Sequence, residues 1–108
     1  MLTKEVTISG TTAVSVYELI KSILTNDAKD AVETFNQQLK FNILFQVLSS
    51  NSATVYIGDA TNQAFALPKA SSATVTNQYE FNKVSITDIY VKGTTNDKVN
   101  IILLPCSN

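Results

Sequence analysis

The sequence predicts a mainly β chain, folded as an antiparallel β-sandwich of jelly-roll or immunoglobulin-like type with one short helix in its N-terminal half. Three observations predict it. From Gln38 apolar residues recur at every second position. The second half of the chain is cut into short β-prone segments by Gly, Pro, Asn, Asp and Ser. One stretch, residues 15 to 24, has apolar residues at helical spacing.

In chain order, residues 2 to 9 set Leu2, Val6 and Ile8 among Thr3, Thr7 and Ser9, which reads as a first strand ending at Gly10. Ser15 and Glu18 have the spacing of a capping box, and Val16, Leu19, Ile20, Ile23 and Leu24 follow at helical intervals. The helix they predict covers one end of a sheet. Residues 25 to 37 are open between helix and loop: Thr25-Asn26-Asp27 can stop one helix or cap another, and Ala28, Ala31, Val32 and Phe35 can line a helical face. Next, Leu39, Phe41, Ile43, Phe45 and Val47 point to one side of a long strand, with Lys40, Asn42, Leu44, Gln46 and Leu48 on the other.

Short strands follow at 53–58, 64–67, 73–76, 84–86, 88–92 and 98–104, a spacing that suits a sandwich or small barrel. Gly93-Thr94-Thr95-Asn96-Asp97 has the residues of a hairpin loop, so the last two strands are expected to pair with each other. The whole chain, residues 1 to 108, reads as one domain with a helical or loop insertion at 25–37.

Composition narrows the function. Charged residues are 16% of the chain, hydrophobic residues 44%, and Ser, Thr and Asn together supply about 30%. A neutral polar surface of this kind suits packing against copies of the same chain or a large flat partner. All eight basic residues are lysines spread from Lys4 to Lys98, and the net charge is −1. Neither the guanidinium fork nor a basic cluster that would grip nucleic acid is present, so no nucleic-acid partner is expected. The longest apolar run, Ile101 to Leu104, is too short for a helical membrane span, and Met1 to Glu5 lacks the apolar core of an export signal. A soluble chain with no membrane partner is expected.

With no histidine, the commonest general base and metal ligand is missing, and the Ser and Cys triads go with it. Cys106 lies beyond Pro105 near the C-terminus with no activating base in the neighbouring sequence, and as the single cysteine it forms neither an intrachain disulfide nor a thiolate zinc site. Asp27, Asp30 and Glu33 would share a helix face but lack the ligand spacing and central glycine of a calcium loop. Asp59 and Asp97 fall at turns, where aspartates bond their own backbone. No enzyme, cofactor or metal is expected. Of the four tyrosines, Tyr17, Tyr56, Tyr79 and Tyr90, the second and fourth fall in strands and are expected to pack there. Tyr79 reads as an exposed loop aromatic which, with Phe81, can anchor a protein contact.

Residues 51–59 (Asn-Ser-Ala-Thr-Val-Tyr-Ile-Gly-Asp), 65–72 (Phe-Ala-Leu-Pro-Lys-Ala-Ser-Ser), 88–94 (Asp-Ile-Tyr-Val-Lys-Gly-Thr) and 97–104 (Asp-Lys-Val-Asn-Ile-Ile-Leu-Leu) resemble small structural proteins of tailed-phage virions. In that family a strand ending in a Val-Tyr-Ile-Gly motif precedes a turn, and the chain closes on an Ile-Tyr-Val, Gly-Thr, Lys-Val, Ile-Leu hairpin. The likeness covers residues 38 to 104, and the N-terminal strand and Val16–Ile20 fit it as well. Thr25 to Gln37 is longer and more charged than the family pattern, and Ala70 stands where glycine is frequent.

The resemblance implies a non-enzymatic virion component assembled in the host cytoplasm. An auxiliary capsid or head-decoration protein is the leading expectation, present in many copies as a homo-oligomer bound to the major capsid protein or another virion protein. The alternatives are a fibre-base or tail component and a glycan-binding module for host-surface attachment.

Overall fold

A computed structural model describes residues 1–106. Its strands are β1 (Leu2–Thr7), β2 (Val14–Ser15), β3 (Lys40–Val47), β4 (Val55–Gly58), β5 (Phe65–Leu67), β6 (Asn77–Ser85), β7 (Tyr90–Lys92) and β8 (Lys98–Leu104). Helix α1 (Val16–Ile20) runs into a 3-10 turn at Lys21–Ile23, and α2 (Asn26–Glu33) follows. The strands form two four-stranded sheets, ordered β1-β8-β3-β6 and β2-β7-β4-β5. Every pairing is antiparallel.

The order has a simple logic. β1 pairs with β8, β2 with β7, β3 with β6 and β4 with β5, so the chain is one long double ribbon turning at the β4–β5 connection. The pairs β3–β8 and β4–β7 then close the ribbon on itself. This is jelly-roll topology, which selects between the two sandwich types that the sequence leaves open.

Alternation builds the core. Ile43, Phe45 and Val47 of β3 and Val99, Ile101 and Leu103 of β8 are buried, and they meet Val55, Ile57, Leu67 and Val91 of the other sheet. Each such side chain contributes about 1.5–3 kcal/mol on burial. The opposite face of β3 and β8, carrying Leu44, Gln46, Asn100, Ile102 and Leu104, is half-buried, as an uncovered sheet face should be.

The helices close one end. Ser15 caps α1, its Oγ accepting from the Glu18 N–H at 3.2 Å. Glu18 does not return the bond of a full capping box; its carboxylate turns to Lys21 at 2.8 Å. Val16 and Tyr17 donate backbone bonds to Ile89 and Ile86 oxygens, both at 2.8 Å, and Lys4 Nζ donates to Leu19 O and Ser22 Oγ at 3.1 and 2.6 Å. The open stretch 25–37 resolves as α2, capped by Thr25 Oγ1 accepting from Ala28 N–H at 3.1 Å. The turn that follows its C-cap Thr34 reaches Asn36, in the left-handed region with φ of 52°, and the Gln37 N–H closes on Ala31 O at 2.8 Å.

Three expectations need correction. Residues 93–97 are not a hairpin loop, because β7 and β8 belong to different sheets. Val91 and the row Val99, Ile101, Leu103 are apolar on faces that look at each other across the core, so the connection is an arch between layers. Its backbone bonds go to the neighbouring β1–β2 arch: Ile8 N–H to Asp97 O at 2.7 Å, Asn96 N–H to Ile8 O at 2.9 Å, and Gly93 N–H to Gly10 O at 3.4 Å.

The strand expected at 73–76 is a turn region, and β6 instead starts at Asn77 and runs through Val84. A bulge at Asn82 and Lys83 interrupts β6, where Lys83 takes a φ of 53° and donates its N–H to Asn42 Oδ1 at 3.0 Å. That extra residue breaks the period-two pattern by which the strand would have been read. Finally, the helix expected over 15–24 is α-helical through Ile20 and tightens into the 3-10 turn.

Gly58 is required by close approach. A Cβ there would lie 2.0 Å from Asn62 O and 2.6 Å from Gln63 Cα, whereas one at Gly10 would meet nothing nearer than Thr95 Oγ1 at 3.7 Å. Urea unfolding should therefore show Gly58→Ala destabilised by at least about 1 kcal/mol. The same measurement should show Gly10→Ala unchanged or stabilised by about 0.4–1 kcal/mol.

Candidate functional site

Asp97 sits in the β7–β8 arch, 6% exposed. Its carboxylate accepts from Ser52 N–H at 2.8 Å, Ala53 N–H at 3.0 Å and Ser52 Oγ at 3.0 and 3.1 Å. Asn51 beside it donates to Lys98 O at 2.7 Å and accepts from Lys98 N–H at 2.8 Å. The expectation that Asp97 bonds its own turn is thus wrong: it clamps the β3–β4 loop to the arch. Burial pushes its carboxyl up, but the Ser52 and Ala53 bonds, with help from the Lys69 charge, outweigh burial and hold the pKa below the ordinary value. At neutral pH it carries no proton to give.

Asp59 behaves as a turn aspartate should. Its Oδ1 accepts from Asn62 N–H at 2.8 Å, Thr61 N–H at 2.9 Å and Thr61 Oγ1 at 3.0 Å, and these bonds lower its pKa against a smaller opposing effect of burial. Asp59 and Asp97 share no partner, and nothing in their geometry makes an acid and base pair. Asp27, Asp30 and Glu33 all lie on α2, but Glu33 accepts the hydroxyl of buried Tyr17. Among the described residues no three acidic, His or Cys side chains are placed to share a metal ion. The Tyr17 phenol, pushed up to about 12 by burial and then by Glu33, stays protonated and ties α1 to α2. Cys106 Sγ donates to Lys40 O at 3.4 Å, a terminal tether.

Two surface features remain. The first is aromatic. Tyr79 and Phe81 are in strand β6, not in a loop, and both lie on the side of β6 that faces the core. β5 is three residues long and covers little of that side, so Tyr79 stays 48% exposed at the open margin. Phe65 of β5 sits 4.7 Å from Tyr79 and 5.2 Å from Phe81 between ring centroids, Tyr79 and Phe81 are 4.9 Å apart, and Phe81 meets fully buried Phe45 at 5.7 Å. These offset and edge-on rings form a row from the core to the surface. The sequence pairs Tyr79 with Phe81 correctly but misses Phe65, which the β4–β5 turn brings alongside.

The second feature went unseen in the sequence. On the outer face of the second sheet a half-open recess of about 390 Å³ is lined by Thr11, Ala53, Thr54, Tyr56, Lys92, Gly93 and Thr94. Tyr56 is in strand β4 as expected and stays 39% exposed on the outer face, because Val55 and Ile57 on either side take the buried face. Lys92, opposite Tyr56 in the β4–β7 register, places Nζ 5.9 Å from its ring centroid. Joining Tyr56 to Thr11 needs the topology.

Asp97→Ala leaves two backbone donors and the Ser52 hydroxyl without an acceptor and should cost about 1–3 kcal/mol in chemical unfolding. Because the Asp97 pKa is lowered in the fold, its contribution is complete above the unfolded value of about 3.9. That contribution is lost as pH falls through the lower folded value. Asp97→Asn should correspondingly flatten the stability profile between pH 4 and 2, as followed by circular dichroism.

No protein-family model matches this chain, and neither the curated proteins nor the solved structures hold a match to it.

Proposed function

We propose that this chain is a non-enzymatic structural protein of a tailed-phage virion, an auxiliary capsid or head-decoration protein that binds the capsid lattice in many copies. The observation that carries the reading is the open margin of β6. Among the described residues this nine-residue edge strand has no strand paired on its outer side, and beside it the row of Phe65, Tyr79 and Phe81 reaches the surface.

An exposed aromatic row next to unpaired backbone is a surface that association completes, by strand pairing, by burial of the rings, or by both. The motif resemblance supplies the setting, and the jelly roll is a fold used in capsid domains. The partners are further copies of the chain and the major capsid protein. A fibre-base or tail position would use the same margin with a different neighbour.

Light scattering of the purified chain, alone and with capsid protein, tests this. Either a stable oligomer or a complex with capsid protein is expected, and Tyr79→Lys should weaken it at least tenfold while moving stability by less than about 1 kcal/mol. A monomer without affinity for capsid protein would overturn the reading, and binding to a tail protein in its place would move the chain to the tail.

A further inference from the structure

The recess on the outer face of the second sheet has a chemistry of its own. Its volume, about 390 Å³, lies in the lower part of the range of small-molecule sites. Exposed Tyr56 and the threonines Thr11, Thr54 and Thr94 line it, and the single charged residue of its lining is Lys92. No carboxylate lines it, and among the described residues Lys92 is in no ion pair, its partner being the Tyr56 ring.

Each group selects part of a ligand. A threonine hydroxyl both donates and accepts, which matches alcohol groups. An ammonium only donates and carries a positive charge, which matches a carboxylate. A tyrosine ring offers an apolar face with a negative quadrupole, which matches the C–H face of a pyranose. A neutral sugar leaves Lys92 without a partner, and a plain anion leaves the ring and the hydroxyls unused.

We infer that this recess is a binding site for an acidic sugar, a pyranose bearing a carboxylate such as a uronic or sialic acid residue of a glycan. Tyr56 stacks on the sugar ring, Lys92 holds the carboxylate, and the threonines read the hydroxyls. At Gly93, which follows β7 in the recess, a Cβ would meet the buried Ile8 Cδ1 at 3.0 Å, so the backbone there lies directly against the side chain of Ile8. The inference is independent of capsid binding, since it uses none of the residues at the β6 margin.

Amide chemical-shift titrations with methyl glucuronide, N-acetylneuraminate, methyl glucoside and sodium sulfate provide the test. Saturable shifts at Thr11, Thr54, Tyr56 and residues 92–94 are expected with at least one acidic sugar, with a Kd at least tenfold below those for the glucoside and for sulfate. Lys92→Met and Tyr56→Ala should each weaken that binding at least tenfold, and Tyr56→Phe, which keeps the ring face, should retain it. The inference is overturned by an absence of saturable shifts with both acidic sugars, by sulfate binding equally well, or by binding that survives Lys92→Met.

Discussion

Every other feature of this protein depends on the antiparallel pairing of the two halves of the chain. Leu2 lies opposite Leu103, Val14 opposite Val91, Phe45 opposite Tyr79 and Val55 opposite Leu67, so the chain ends meet first and the middle turns last. The hydrogen bonds of such pairs are local, but the loops they close grow from the short β4–β5 turn at Val55 and Leu67 to nearly the whole chain at Leu2 and Leu103. Closing a long loop costs entropy that only slowly grows with its length, and no single pair repays it. The repayment is collective, through the apolar row of β3 and β8 at the centre of the first sheet, where Ile43, Phe45, Ile101 and Leu103 are fully or almost fully buried.

A double ribbon folded over itself must cross between sheets at every connection except the turn from β4 to β5, and crossings strip backbone groups of ladder partners. The two arches beside each other solve this together, with Ile8, Gly10, Gly93, Asn96 and Asp97 exchanging main-chain bonds. Asn51 and Asp97 extend the same solution with side chains, taking up backbone donors of the next loop. These are buried polar residues whose partners are all present, which is the condition under which burial of a carboxylate is tolerated. A catalytic reading of Asp97 is weakened by the same fact, because both of its carboxylate oxygens are already used to hold a loop.

The sequence exposes the faces of strands far better than their neighbours. Period two in residues 39–47 identifies the buried row correctly, and Ser15 marks a helix start that the structure keeps, while Thr25, open in the sequence between stop and cap, proves to be a cap. Alternation is silent on which sheet a strand joins. For that reason β7 and β8, adjacent in the chain with a loop rich in turn residues, read as a hairpin although they face each other across the core. β6 escaped for a different cause: its bulge shifts the phase at Asn82 and Lys83, and Tyr79 and Phe81 stand alone among polar residues. The recess was illegible because Thr11, Tyr56 and Lys92 come from three parts of the chain that only the nested pairing brings together.

The same alternation that hides the recess also separates it from the aromatic margin. In the β4–β5 pair, Ile57 stands opposite Phe65 on the inner face and Tyr56 opposite Ala66 on the outer face. One short ribbon thereby supplies a ring to the aromatic margin and a ring to the recess, pointed to opposite sides of a single sheet. A neighbour seated along β6, as proposed, would cover the inner-face row and leave the outer-face recess in solvent. Two separate surfaces can coexist on 108 residues without competing, since a strand spends each successive side chain on a different face.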